Sequence, residues 1–193
     1  MHFAEVYCTI NLGDFMEKVF KYSLKLFLLL MFVSFASFMV AISFAVILSK
    51  SPLWVFYVFT QLFNFLILVS VVWQHIYSIG FKDSNMVKTG HLKKDIYKGF
   101  KIGAIAEIPF AIFLAVSVIA NLKFSIYRIV NSQYFWFLSA IAGKSQNMQM
   151  GTLKIIAFVL LLFVVPIISC IIYILGYNGV DLFSKLVYKN RKE

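Results

Sequence analysis

Charged residues are scarce in this sequence. Of its 193 residues, 13% are charged and 62% are hydrophobic, and only eight are acidic. A soluble domain of this length has about 25% charged residues, which cover its surface. The shortage of charge therefore excludes an ordinary soluble domain and predicts an all-α integral membrane protein built as a helical bundle.

Cysteine and proline are rare as well. Cys8 and Cys170 both fall on the side that the charge pattern below assigns to the cytoplasm, where thiols stay reduced, so neither a disulfide nor a metal site is indicated. Two of the three prolines, Pro109 and Pro166, lie in apolar runs. Because proline cannot donate a backbone hydrogen bond, we expect each of them to bend its helix.

Catalytic signatures are missing too. The sequence contains no H-E-x-x-H, no G-x-S-x-G and no phosphate-binding loop. The spacing most like that of metal ligands is the pair His91 and Asp95. Two ligands alone indicate a metal site only weakly, and this pair fits a solvated helical segment of the loop better. We predict no cofactor, no metal site and no enzyme activity.

Four apolar runs are long enough to cross a membrane, since about 20 apolar residues span the hydrocarbon core as a helix. They are residues 26–48, 53–79, 102–122 and 155–177. The strands of alternating polarity that a barrel requires are absent. The sequence thus predicts four transmembrane helices in a single domain of residues 1–193.

Two shorter segments are not predicted to span. Residues 13–27 have apolar residues at helical spacing with lysines between them, which is typical of an interfacial helix that runs into the first span. Residues 129–142 are too short to cross, and Tyr134, Phe135 and Trp136 within them suit the outer headgroup layer. We interpret this second segment as interfacial or re-entrant. The alternative is a fifth span, which would place the C-terminus outside.

The distribution of lysine and arginine predicts the orientation, because positive segments stay in the cytoplasm. With both termini inside, thirteen of these residues are cytoplasmic and five are outside. The polar loop 81–101 and the tail 178–193 are then cytoplasmic. The basic residues, which give a net charge of +10, are expected to meet anionic lipid headgroups rather than nucleic acid.

The second apolar run contains three polar side chains, Gln61, Asn64 and His75. At about 100° per residue they fall within one narrow arc of the helix. They predict either hydrogen bonds to neighbouring helices or a polar stripe along a permeation path. The first run has a face of small residues, which is typical of close helix packing; its members are Ser34, Ser37, Ala41 and Ala45.

Glu107 is the most unusual residue, because it is an acid inside an apolar run. An ionised carboxylate in hydrocarbon costs several kcal/mol unless it is paired or takes up a proton. We expect Glu107 to meet His75, Lys98 or Lys101. Such a contact is either structural, near the bend at Pro109, or functional, since ionisable groups inside spans often mark functional sites.

The segment from residue 81 to 109 resembles the central loop of small multi-pass membrane proteins of Gram-positive bacteria that have no assigned activity. The matching elements are a "D-x-N" pair, a glycine, an acid, "KG-x-K-x-G" and "IP", here Asp83, Asn85, Gly90, Asp95, Lys98, Gly99, Lys101, Gly103, Ile108 and Pro109. The resemblance implies a bacterial plasma membrane location and a multi-pass architecture, and it implies no reaction.

Two functional hypotheses follow. The first is a non-enzymatic membrane component that binds a membrane or cytoplasmic protein partner through the loop 81–101, with Asp83, Asn85, Asp95 and Lys98 as candidate contacts. The alternative is a subunit of an oligomeric transporter or channel, with Glu107 and the polar residues of the second run at its site.

Overall fold

The computed structural model describes residues 12–48, 50, 52–92, 94–143, 145–148 and 151–180; Cys8 and most of the predicted tail lie outside this part. The described residues form seven α-helices and one 3₁₀ turn. They are α1 (Leu12–Ile47), α2 (Leu53–Lys88), α3 (Lys98–Ile119), α4 (Phe124–Val130), the 3₁₀ turn (Ser132–Tyr134), α5 (Phe135–Ala142), α6 (Thr152–Leu162) and α7 (Val164–Tyr177).

The structure confirms the all-α bundle with four spans. Met16–Ile47, Leu53–Lys88, Lys98–Ile119 and Thr152–Tyr177 are long and apolar enough to cross a membrane. Many large apolar side chains on their outer faces are exposed, for example Phe32 at 65%. In a bilayer these faces contact lipid, which is as apolar as they are.

The first helix is longer than one membrane crossing. Its 36 residues correspond to about 54 Å at 1.5 Å per residue, against roughly 30 Å of hydrocarbon. No glycine or proline interrupts the chain between residues 14 and 47. The predicted interfacial helix is therefore the first part of α1 and continues directly into the span.

Proline has different effects in two spans. The last span is interrupted at Phe163, between α6 and α7. Pro166 lies four residues after Leu162 and has no N–H to bond the Leu162 carbonyl, so the break is where the sequence predicts it. Helix α3, in contrast, runs from Lys98 to Ile119 without interruption although it contains Pro109.

The segment predicted as the loop 81–101 is mostly helical, which corrects its boundaries. Helix α2 continues to Lys88 and α3 begins at Lys98, so the connection is only nine residues long. Five of the eight residues 81–88 are polar, but none of them is glycine or proline. The first glycine after this stretch is Gly90, whose φ is +76°. A polar stretch ends a membrane span, but it does not by itself end a helix.

Residues 124–142 fold into a helical hairpin. Helix α4 leads in, the 3₁₀ turn forms the tip, and α5 leads back. The chain returns to its starting point, because Lys123 and Asn147 form an antiparallel bridge and the Met148 amide donates to the Leu122 carbonyl at 2.9 Å. A chain that turns back on itself in this way does not form a fifth span, and the choice between a re-entrant and an interfacial position stays a prediction.

Glycines bring α7 close to its neighbours. A Cβ atom added at Gly103 of α3 would lie 2.7 Å from the Cα atom of Pro166, and one at Gly99 would clash with the Tyr173 side chain. Between α2 and α7, a Cβ atom at Gly80 would clash with the Tyr173 carbonyl, and one at Gly176 with the Tyr77 carbonyl. Small residues at these contacts allow backbones to approach closely.

Candidate functional site

The hairpin tip is held by Gln61 of α2. Its amide nitrogen donates to the Gln133 carbonyl at 3.0 Å, and its amide oxygen accepts from the Trp136 backbone amide at 3.1 Å. Gln61 is 7% exposed. One side chain thus satisfies a carbonyl in the 3₁₀ turn and an amide in the first turn of α5, which are backbone groups that the short helices leave unpaired.

Two further side chains complete the attachment. The Asn64 amide nitrogen donates to the Ser132 carbonyl at 3.0 Å. Ser34 of α1 donates to the Gln133 side-chain oxygen, and the Ser132 hydroxyl donates to the Ser34 carbonyl. Non-helical backbone is tolerated at membrane depth only where protein or water surrounds it. The polar groups of α1 and α2 provide that environment.

These contacts show where two predicted site residues bond. Gln61 and Asn64 were expected to hydrogen-bond to neighbouring helices or to line a permeation path. They make hydrogen bonds of the first kind, to the backbone of the neighbouring hairpin tip, and the permeation path stays a prediction. The small-residue face of α1 is buried at Ser34, Ser37 and Ala41, which are 4%, 0% and 5% exposed, but not at Ala45, which is exposed.

Several buried polar atoms around the tip have no hydrogen-bond partner among the described residues. They are the Ser37 and Thr60 hydroxyls, the side-chain oxygens of Asn64 and Asn131, the Gln133 side-chain nitrogen and the Tyr134 hydroxyl. More than 90% of buried polar groups in proteins are paired. This concentration of unpaired groups distinguishes the tip from ordinary helix packing.

Glu107 lies close to this cluster. It is 4% exposed, and neither of its carboxyl oxygens has a hydrogen-bond partner in the described part of the chain. The carboxyl group is within electrostatic range of the hydroxyls of Tyr127 in α4 and Tyr134 at the tip. A mostly apolar cavity of about 260 Å³ adjoins Glu107 and extends to Phe163, where the last span is broken.

The expected partners of Glu107 bond elsewhere. The His75 Nε2 atom lies 3.2 Å from the Tyr22 carbonyl of α1. Lys98 bonds to Asp83 and Lys101 bonds to Asp95, at 2.7 and 2.8 Å. The structure gives no ion pair between any of these three and Glu107. His75 also lies fourteen residues from Gln61 along α2, about 21 Å away, and so it belongs to a different site.

Asp83 and Lys98 form a buried ion pair, which corrects their prediction as surface contacts for a partner. They are 5% and 3% exposed. The Asp83 carboxylate accepts hydrogen bonds from the Lys98 ammonium and, at 2.9 Å, from the Tyr173 hydroxyl of α7. Both residues are buried because α2 and α3 extend past the predicted span ends and pack against α7. The pair thus joins three helices.

The other two candidate partner contacts remain accessible. Asn85 is exposed, and Asp95 is half-buried while it pairs with Lys101 and accepts a hydrogen bond from the Tyr97 backbone amide. Partner binding by this region stays a prediction that rests on fewer residues. Within the described ranges, no three histidine, cysteine or acidic side chains come together in a way that could hold a metal ion.

Sequence reasoning missed the tip residues Ser132 and Gln133, and it missed Tyr173. Tyr134 was expected in the outer headgroup layer, but it is 3% exposed at the buried tip. The signal for the tip was present, because "NSQY" is a polar interruption between two short apolar segments. Such an interruption in a segment too short to span is typical of a chain that turns back inside the membrane. Tyr173 gave no signal, since an isolated tyrosine in an apolar run also fits lipid or packing contacts.

The fold and the site define a multi-pass helical membrane protein with a buried polar hairpin between its spans. Comparison with protein-family models, with curated proteins and with solved structures finds no match to this chain. Its function must therefore be argued from its own residues.

Proposed function

We propose that this protein is a subunit of a membrane transporter or channel, and that protons pass through it at Glu107. The observation that supports this most is the buried Glu107 carboxyl group, which has no hydrogen-bond partner among the described residues and faces the hairpin tip. Ionisable groups inside spans are rare and commonly belong to ion or proton pathways.

A purely structural role would require different contacts. Structural polar side chains such as Gln61 and Asp83 have bonded partners, the hairpin backbone and Lys98, whereas neither carboxyl oxygen of Glu107 has one among the described residues. Burying a carboxyl group without such bonds costs free energy and contributes nothing to packing. A fixed ion partner would hold a carboxyl group in its ionised state, so a carboxyl group that must gain and release a proton works better without one.

The burial of the site favours the proton over larger solutes. Each carboxyl oxygen of Glu107 is almost completely inaccessible, and the residue is 4% exposed. A hydrated ion needs an open path, whereas a proton can move between hydrogen-bonding groups. The unpaired hydroxyl of Tyr134 and the hydroxyl of Tyr127 are candidates to exchange it, since both are within electrostatic range of the carboxyl group.

Proton flux in reconstituted vesicles tests the proposal. Purified protein in liposomes with a potassium gradient and valinomycin should acidify the lumen faster than protein-free liposomes, as reported by an enclosed pH-sensitive dye. Glu107→Gln keeps the shape but cannot ionise, so we expect its rate to fall to that of protein-free vesicles. Glu17→Gln, at an exposed acid of α1, should leave the rate unchanged. Equal rates for the original chain and Glu107→Gln would refute the proposal.

The setting of this activity rests on the sequence. We propose a bacterial plasma membrane with both termini in the cytoplasm, because this orientation places thirteen basic residues inside and five outside. Asn85 would then be cytoplasmic. A cysteine at this position that reacts with impermeant reagents in intact cells would contradict the orientation.

A further inference from the structure

A second cavity, of about 430 Å³, lies at the base of the hairpin, at the opposite end from its tip. Its walls come from the start of α4, the end of α5 and residues 145–147. The backbone fixes these walls, because the Phe124 amide donates to the Gln146 carbonyl at 2.8 Å beside the bridge between Lys123 and Asn147. The cavity is therefore part of the fold and does not depend on a loose loop.

The charge of this cavity has one sign. Lys123 and Arg128 line it, and no acidic residue does. The acidic residues whose side chains the structure describes lie elsewhere, at Glu17, Asp83, Asp95 and Glu107. Among the described residues no carboxylate pairs with Lys123 or Arg128. Two positive charges thus share one concave surface without a negative charge to balance them.

Arg128 is held in place without an ion partner. Its Nη1 atom donates to the Ser139 hydroxyl at 3.3 Å. Its guanidinium lies 4.8 Å from the centre of the Phe135 ring and 5.8 Å from that of Phe124. A guanidinium has five N–H donors in a planar fork, and stacking on aromatic rings fixes that plane. Most of its donors remain for a ligand.

The remaining lining is suited to an oxyanion. Ser125, Ser145 and Asn147 add hydroxyl and amide groups to the same cavity, while the Ser139 hydroxyl already donates to the Phe135 carbonyl. Arginine binds two oxygens of a phosphate at once, and charge-assisted bonds of this type are about twice as strong as neutral ones. A cavity that has unused hydrogen-bond donors, two positively charged side chains and no acidic side chain is suited to a phosphate group.

We propose that this cavity binds a phosphate group, carried either by inorganic phosphate or by the headgroup of an anionic phospholipid. The chemistry of recognition is the same in both cases. Lys123 and Ser125 in the lining of the cavity are exposed, so the cavity opens to the outside of the protein. This site is separate from Glu107 and does not depend on proton transport.

Calorimetric titration of the detergent-purified protein with inorganic phosphate is the first arm of the test. The second arm measures retention of phosphatidylglycerol against phosphatidylcholine by native mass spectrometry. Binding of inorganic phosphate identifies the free anion as ligand. Selective retention of phosphatidylglycerol without phosphate binding identifies the headgroup. In the arm that shows binding, Arg128→Gln should weaken it by about tenfold or more, since the charged contact and its fork are lost.

Matched variants separate binding from folding. Lys123→Gln removes the other positive charge from an exposed position, where folding does not depend on it, and should also weaken binding. Lys50→Gln removes a charge from an exposed lysine outside the cavity and should have no effect. The proposal is overturned if neither ligand binds the original chain. It is also overturned if Lys123→Gln binds as well as the original chain, or if Lys50→Gln weakens binding as much as Lys123→Gln does.

Discussion

Removing the charge of Asp83 should strongly destabilise this protein. Asp83 and Lys98 are 5% and 3% exposed, and their charged groups are 2.7 Å apart. The substitution Asp83→Asn keeps the shape of the side chain and removes the negative charge that balances the Lys98 ammonium. Breaking a buried ion pair by removing one partner costs about 3–5 kcal/mol. Because the free energy of unfolding of native proteins is only about 5–15 kcal/mol, this cost is a large fraction of the total stability.

The position of the pair favours the lower end of that range. Lys98 is the first residue of α3, and a lysine near a helix end can extend its ammonium towards the headgroup layer, which reduces the cost of losing its partner. We therefore expect about 3 kcal/mol for Asp83→Asn. Tyr173→Phe removes one hydrogen bond to the carboxylate, which should cost about 1.5–3 kcal/mol.

Unfolding in mixed micelles of mild detergent and dodecyl sulfate, followed by circular dichroism, measures these values. Asp95→Asn is a matched control, because Asp95 and Lys101 are 2.8 Å apart but their side chains are 24% and 50% exposed. An accessible pair of this kind contributes about 0–1 kcal/mol. In the double variant Asp83→Asn with Lys98→Met, the cost should be smaller than the sum of the single costs. Additive costs, or less than about 1 kcal/mol for Asp83→Asn, would refute the reasoning.

Two further predictions concern packing and the hairpin. Gly103→Ala places a Cβ atom 2.7 Å from the Pro166 Cα atom, so it should lower stability in detergent by about 1–3 kcal/mol, as measured by the same unfolding assay. Gln61→Leu leaves the Gln133 carbonyl and the Trp136 amide unpaired, at about 1–3 kcal/mol each. Faster hydrogen exchange of the Trp136 amide, measured by mass spectrometry, should report the loosened tip.

Each of these has a control in the same chain. Gly151→Ala adds a Cβ atom with nothing within 4 Å, so its stability should equal that of the original protein; a loss as large as that of Gly103→Ala would contradict the packing argument. Leu62→Ala, next to Gln61 on the exposed side of α2, should leave exchange at Trp136 unchanged. Unchanged exchange in Gln61→Leu would contradict the proposed attachment.

The spans were predictable because hydrophobicity is a local property. About 20 apolar residues must cross the hydrocarbon as a helix wherever they occur in the chain. The break before Pro166 is local as well, since it follows from one missing N–H group. The extension of α2 to Lys88 was not predicted, because the end of the apolar run at Ile79 was taken as the end of the helix.

The site was less predictable because it depends on contacts between distant residues. Gln61 and Asn64 were identified as inward-facing, but their partners lie about 70 residues away in the hairpin. Asp83 and Lys98 were interpreted as surface residues because charged side chains normally are. Their burial depends on how α7 packs against both helices, and no pattern in the loop itself indicates this.

The glycine contacts have a mechanical consequence. At Gly80, Gly99, Gly103 and Gly176 the helices α2, α3 and α7 touch with no layer of side chains between them. Sliding one of these helices along another would drive side chains such as Tyr173 into backbone, so the three should move as one rigid body. The hairpin, in contrast, is attached through hydrogen bonds that can exchange. We expect any working motion of this protein to leave these three helices fixed and to be a movement of the hairpin against them.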